Sequence, residues 1–244
     1  MTHQSLSAYF TKGRCPDWAC PSCGNRTLVI KKGSFNFAEI PESVERYRQE
    51  YGELSDIELV FSCLLECEHT KCRNVIAVGG NGCVDQIPDD QITTEGDNII
   101  DFFQAKFFIP PLKAFIIPTN CPKSVSQPLE LSFSLFLNSP NAAANAIRIA
   151  LEVLMDELGV AMARNLHQRI ESLSEEYAEH KDALMAIKFL GNAGSHEIDR
   201  IKIRDIEDAY KVIEFVLSKI YEDRTKKVHA IVRRMTESFN PSKI

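Results

Sequence analysis

Residues 18–24 read Trp18-Ala19-Cys20-Pro21-Ser22-Cys23-Gly24, and residues 67–72 read Cys67-Glu68-His69-Thr70-Lys71-Cys72. Two thiolates three positions apart share one tetrahedral metal ion only if the chain turns sharply between them, and a glycine after the second relieves the crowding of that turn. Such a knuckle needs a second pair, and Cys67 with Cys72 supplies it. Both pairs stand beside runs of strand-forming residues: TLVIKK (27–32) follows the first, IELVFSCLLE (57–66) leads into the second and NVIAVGG (74–80) leaves it. This is the layout of a zinc ribbon, with Cys20, Cys23, Cys67 and Cys72 as ligands of one structural Zn²⁺. The 43-residue gap between the pairs is long for a minimal ribbon. A helix opening at Pro41 and ending before Gly52 fills it.

Two other readings of the first pair weigh less. A thioredoxin-type redox motif stands between a strand and a helix, whereas this one is followed by strand runs and matched by a second pair. Stable disulfides belong to oxidising compartments. The fourth ligand is less determined, because His69 or Cys63 can replace a member of the second pair. Cys15, Cys83 and Cys121 read as structural thiols. A four-thiolate site leaves no open coordination position, so it staples a small β-domain and does no chemistry of its own.

Composition sets the frame around this motif. The chain has 244 residues, 44% apolar and 25% charged, with a net charge of −6. These are the proportions of an ordinary globular protein. No apolar run approaches the roughly 18 residues of a membrane-spanning helix, and the opening MTHQSLSAYF has neither the basic start nor the apolar core of a secretory signal. The expected location is the cytosol, away from membranes. The acidic balance excludes a wholesale polyanion binder and leaves room only for a local basic patch.

All eight cysteines lie in residues 1–140, which carry 12 basic and 17 acidic side chains; residues 141–244 carry 16 and 17, with Pro241 as their single proline. That shift marks two domains: a zinc-ribbon-like β domain with its connector at 1–128, and a helical domain at 129–244. FFIPPLKAFIIP (107–118) is at most an edge strand or an extended connector, because of its adjacent prolines. The segment from Leu129 to Leu137 is too apolar for a free linker and reads as a short helix or strand docked on one half.

Four helices follow. The first is announced by Ser139-Pro140 and runs to about Gly159. The second covers about 162–177, with Leu166, Ile170 and Leu173 on one face. The third covers about 180–190 and breaks at Gly191-Asn192. The fourth begins near Asp205, where Ile206, Ala209, Tyr210, Ile213, Leu217 and Ile220 trace a helical stripe, and it extends towards HAIVRRM. Four amphipathic helices with short loops make an antiparallel bundle, so the fold class is α+β.

Within the first of these helices, Arg148, Glu152 and Asp156 recur four residues apart on an otherwise apolar segment. They form either a solvated face with a weak i, i+4 pair or a polar stripe facing another helix. The third helix closes in Ile187-Lys188-Phe189-Leu190-Gly191-Asn192-Ala193-Gly194-Ser195-His196. A tight turn there brings Asn192 and His196 close to Lys188, and histidine titrates near neutrality.

An Arg-x-Ala-Leu-Glu helix (Arg148, Ile149, Ala150, Leu151, Glu152), a helix ending with Gly191, Asn192 and His196, and a Cys-Pro-x-Cys-Gly start with a later cysteine pair together resemble one family. It is the bacterial domain of unknown function four-one-four-five, which is grouped with the HEPN superfamily of helical bundles. The resemblance spans about 15–220 and is strongest from Ala146 to His196. It implies a four-helix bundle that often forms a homodimer, in phage-defence and related bacterial settings. HEPN nucleases cut RNA without metal, using an arginine and a histidine. Carried over, His196 is the acid/base, Lys188 or Arg148 the cation, Glu152 the partner of Arg148, and Asn192 orients the phosphate or shapes the turn. The chain departs from the nuclease pattern. The Arg-x(4–6)-His spacing would place arginine at 189, 190 or 191, which are Phe189, Leu190 and Gly191; Lys188 stands where the family often has arginine, and Ser195 where it usually has alanine. Lysine lacks the planar two-pronged donor set of arginine.

The last basic feature is RTKKVHAIVRR (224–234), which holds five cations and no acid. It reads as a solvated helix end or as an RNA contact. The expected function is a binding or regulatory module of a defence or RNA-related system, with RNA or a protein as partner. The alternatives are a metal-independent endoribonuclease using His196 and a non-catalytic scaffold.

Overall fold

The computed structural model describes residues 6–49, 51–86, 99–196, 200–221 and 224–239, without the side chains of 195–196, 224–227 and 229–230. The chain is mixed α+β. Its first part is an antiparallel sheet of β1 (Leu28–Ile30), β2 (Asn36–Glu39), β3 (Glu58–Cys67), β4 (Val75–Gln86) and β5 (Ile99–Ile109), with α1 (Pro41–Tyr47) between β2 and β3. The strand order is β1-β3-β4-β5, and β2 also pairs with β3. The strand runs expected from 27–32, 57–66 and 74–80 are β1, β3 and β4. β2 escaped the sequence reading: all four of its residues are exposed, so no alternation marks it. β5 is longer than expected and stops at the Ile109-Pro110 bond, where proline ends the ladder.

Alternation along β3 decides which face is inside. Leu59, Phe61, Cys63, Leu65 and Cys67 are buried while their neighbours face outward. The inner face is an aromatic cluster. Phe35 stacks on Phe61 (centroids 5.3 Å, 6° between planes), and Phe103 meets Phe61 edge-on at 5.2 Å. Trp18 stands between Phe10 and Phe108 at 5.4 and 5.0 Å. Phe10 reaches the sheet because residues 10 and 103 exchange two backbone hydrogen bonds of 2.9 and 2.7 Å.

The helical part comprises α2 (Lys123–Leu135), α3 (Pro140–Glu157), α4 (Leu166–Glu171), α5 (Lys181–His196), α6 (Ile203–Tyr221) and α7 (Arg224–Phe239). The docked segment 129–137 is thus the end of a helix. α3, fully buried along Ala143, Ala144, Ile147, Ala150, Leu151, Leu154 and Met155, is the central element. Tyr210 of α6 packs against Phe115, Phe133 and Phe136, and its buried hydroxyl donates to Ser132 Oγ at 3.0 Å. Burial pushes that phenol well above its usual range. The buried apolar residues of the sheet and of the helices form one continuous cluster.

Two expectations are corrected here. The second helix, expected over 162–177, is the six-residue α4 followed by a 3-10 turn, Glu175–His180. Ser172 ends it: its N–H bonds to Gln168 and Arg169, and its hydroxyl donates to the Arg169 carbonyl at 2.9 Å. The third helix does not break at Gly191 but continues to His196. The fourth helix is described from Ile203 to Tyr221, and HAIVRRM lies on α7; the two residues between these elements lie outside the described residues. No described helix is long and apolar enough to cross a membrane.

Candidate functional site

Four sulfurs converge at one end of the sheet. The Sγ atoms of Cys20, Cys23, Cys67 and Cys72 all lie within 4.8 Å of one another. Cys20 is 3.7 Å from Cys72, and Cys23 is 3.7 Å from Cys67. A tetrahedral ion with metal–sulfur bonds of about 2.3 Å spaces its ligands about 3.8 Å apart. The donor set therefore fits such an ion, and these four cysteines can hold it.

Local backbone builds each knuckle. In the first, Gly24 N–H donates to the Cys20 carbonyl at 2.8 Å and Cys20 N–H to Asn25 at 2.9 Å. Gly24 adopts φ +73°, the left-handed conformation expected of a glycine here. In the second, the His69 carbonyl accepts from Cys72 N–H (2.8 Å) and Arg73 N–H (3.2 Å). The sheet then joins the knuckles: Leu28 stands opposite Cys67 in the β1–β3 ladder, and Glu68 N–H donates to Thr27 at 2.8 Å. Asn25 Nδ2 donates to Cys23 Sγ at 3.4 Å, and Thr27 Oγ1 lies 3.2 Å from Cys67 Sγ. Of the two alternative ligands, Cys63 is buried on the inner face of β3, where desolvation and then the charge of Cys15 push its thiol up to about 12. His69 contributes its backbone carbonyl to the second knuckle.

The thiols of the cluster are unlike one another. Hydrogen bonding from the Asn25 backbone, partly offset by desolvation, lowers Cys23 to about 6. For Cys72 a bond from the Asn74 backbone acts in the same direction. Desolvation and the neighbouring sulfurs outweigh it and raise that thiol to about 12. Sulfurs this close give up their protons one after another, and a bound cation would draw off the remainder.

The helical part makes a second, polar locus. Arg148 Nε donates to Glu152 Oε1 at 3.2 Å, with 30% and 46% of their side chains exposed. Asp156 does not join them: it accepts from Arg169 Nη2 at 2.5 Å. Arg169 is the buried polar residue that sequence reasoning passed over. It also donates to the carbonyls of Glu152 and Val160, both at 3.2 Å, so it caps the end of α3. Its only trace in the sequence is a charge next to the apolar Leu166, Ile170 and Leu173.

Gly191 explains how α5 meets Arg148. A Cβ at Gly191 would lie 2.7 Å from Arg148 Cβ, and one at Gly194 would lie 2.9 Å from Ala144 Cβ. The glycines are contact positions that let two helices approach, not a hinge. Asn192 is half-buried beside this contact, while Lys188 Nζ lies over the Phe189 ring, 4.2 Å from its centroid. The backbone of His196 is helical, the last described position of α5, but its imidazole lies outside the described residues. At 1.5 Å per residue, that backbone stands about 7.5 Å along the axis from the turn touching Arg148.

Geometry thus defines a class, an antiparallel sheet with a thiolate cluster capable of holding a metal, continued by a helical array. The family comparisons divide the chain in the same manner. Residues 8–108 match a family described as Domain of unknown function (DUF8608). Residues 130–238 match a family described as Domain of unknown function (DUF4145), which supports the resemblance expected over about 15–220 for its helical part alone; the cysteine pairs of that resemblance lie in the other match. No curated protein and no solved structure matches the chain.

Proposed function

We propose that this chain is a zinc-stapled binding module whose helical part is HEPN-like, dimeric, and directed at RNA in a phage-defence or RNA-related system. The observation that carries the reading is the closed set of four sulfurs, all within 4.8 Å. Four thiolates are the set that selects zinc among common intracellular ions, and they leave no position for substrate. The metal would then fix the sheet rather than act. RNA as ligand class is supported by the basic run 224–234 on α7, where Arg233 is 83% exposed. A second reading, a metal-independent endoribonuclease, is favoured by one contact: Arg148 packs against Gly191 on the helix that carries His196.

Elemental analysis of the purified chain is expected to find about one zinc per chain. The double variant Arg233→Gln/Arg234→Gln is expected to weaken salt-sensitive RNA binding and to flatten its salt dependence. RNA cleavage abolished by His196→Ala, with an unchanged melting temperature, would replace the binding reading with the nuclease.

A further inference from the structure

The four sulfurs of the cluster meet unequal surroundings. Cys20 and Cys67 are 2% and 0% exposed, while Cys23 and Cys72 are half-buried. Cys23 and Cys72 each accept one backbone N–H, from Asn25 and Asn74 respectively. Side-chain donors break the symmetry. The Asn25 amide reaches Cys23 Sγ at 3.4 Å, and the Thr27 hydroxyl stands 3.2 Å from Cys67 Sγ. Among the described residues, no side chain outside the cluster bonds to Cys20 or Cys72. His69 Nδ1 and Asn74 Nδ2, buried in the second knuckle, find no partner among the described residues, so neither serves Cys72.

A sulfur bound to a metal is a thiolate with no proton to give. In a loaded site the Thr27 hydroxyl must therefore donate, as the Asn25 amide does. Hydrogen bonds to a charged acceptor are the strong kind, and each one draws charge off the sulfur and fixes its direction. Groups that orient metal ligands in this way matter to binding: their loss typically costs about 10–100-fold in metal affinity. A sulfur without such a donor keeps more of its charge and stays the better nucleophile.

We propose that Asn25 and Thr27 are positioning residues for the metal ion, which anchor it through Cys23 and Cys67 and leave Cys72 as the sulfur at which the site opens. Cys20 also lacks a side-chain donor, but it is buried, so Cys72 alone combines that lack with access from solvent. The inference rests on the metal reading above and is independent of RNA and of the helical part.

Cobalt(II) exchanged into the full chain reports on the sulfurs through its thiolate-to-metal charge-transfer band. Thr27→Val keeps the shape of the side chain and removes its hydroxyl; Asn25→Ala removes the amide at an exposed position. Each is expected to shift that band and to weaken metal affinity about 10–100-fold against a competing chelator, and Thr27→Ser to restore both. Limiting N-ethylmaleimide, added to the zinc-loaded chain and followed by peptide mapping, should label Cys72 first among the four. In Asn25→Ala, Cys23 should become about as reactive as Cys72. Variants that bind and absorb like the parent, or a parent in which Cys23 is labelled before Cys72, would overturn the proposal. A parent chain that takes up neither cobalt nor zinc overturns the metal reading itself, which separates that failure from this one.

Discussion

In the sheet half, the sulfurs that meet stand 44 and 52 positions apart in the chain. In the helical half, Arg148 and Glu152 meet four positions apart. The first arrangement closes long loops, whose entropy must be recovered by a strong local interaction. The second follows from helix geometry and needs only a covered face. The sheet itself is small, and β1 and β2 together contribute only seven residues. An aromatic cluster fills its inner face and four sulfurs that could hold a metal ion join its two knuckles, while the helices rely on the continuous apolar surface of α3. Within one continuous core the sheet half thus closes long loops at a cluster that could hold a metal, and the helical half relies on close packing.

The strongest way to break this contrast is Cys67→Ser, or removal of the metal by a chelator. Structural zinc in small domains is worth about 10–16 kcal/mol of apparent binding energy, so the sheet half should lose its fixed packing. The expected outcome is a large red shift of Trp18 emission with most far-UV helical signal retained. A fully cooperative loss of both signals would show that the two halves stand or fall together.

A smaller effect tests the helical half alone. Gly191→Leu forces a side chain into the 2.7 Å approach to Arg148 and should cost about 1–3 kcal/mol, with α3 and α5 pushed apart. Denaturant unfolding measures it, and metal content should not change. Smallest of all is Glu152→Gln. Its ion pair with Arg148 is 30% and 46% exposed, so stability should move by less than about 0.5 kcal/mol. A larger loss would mean that Arg148 depends on this carboxylate for more than a surface pair.

Much of the sheet half could be read directly. Alternation along β3 and the spacing of the two cysteine pairs identified both the strands and the four sulfurs, because each signal is local and periodic. β2 could not be read, since an exposed strand of four residues carries no alternation. In the helical half, the stripe of α6 and the start of α3 at Ser139-Pro140 were legible for the same reason. Gly191 and Gly194 misled because glycine signals either a helix end or a close helix contact, and only the neighbouring helix distinguishes the two. Arg169 was hidden because a lone charge beside an apolar stripe is usually solvated.

The order of residues alone therefore determined the α+β division, the two cysteine knuckles and the helix-forming stripes, all of which depend on spacings within a turn or a strand. That neither Cys63 nor His69 takes a place in the sulfur cluster, why α5 continues past its glycines, and which helix those glycines meet were settled by folding in three dimensions. Those features join positions tens of residues apart, and no local periodicity records which distant surfaces will pack against one another.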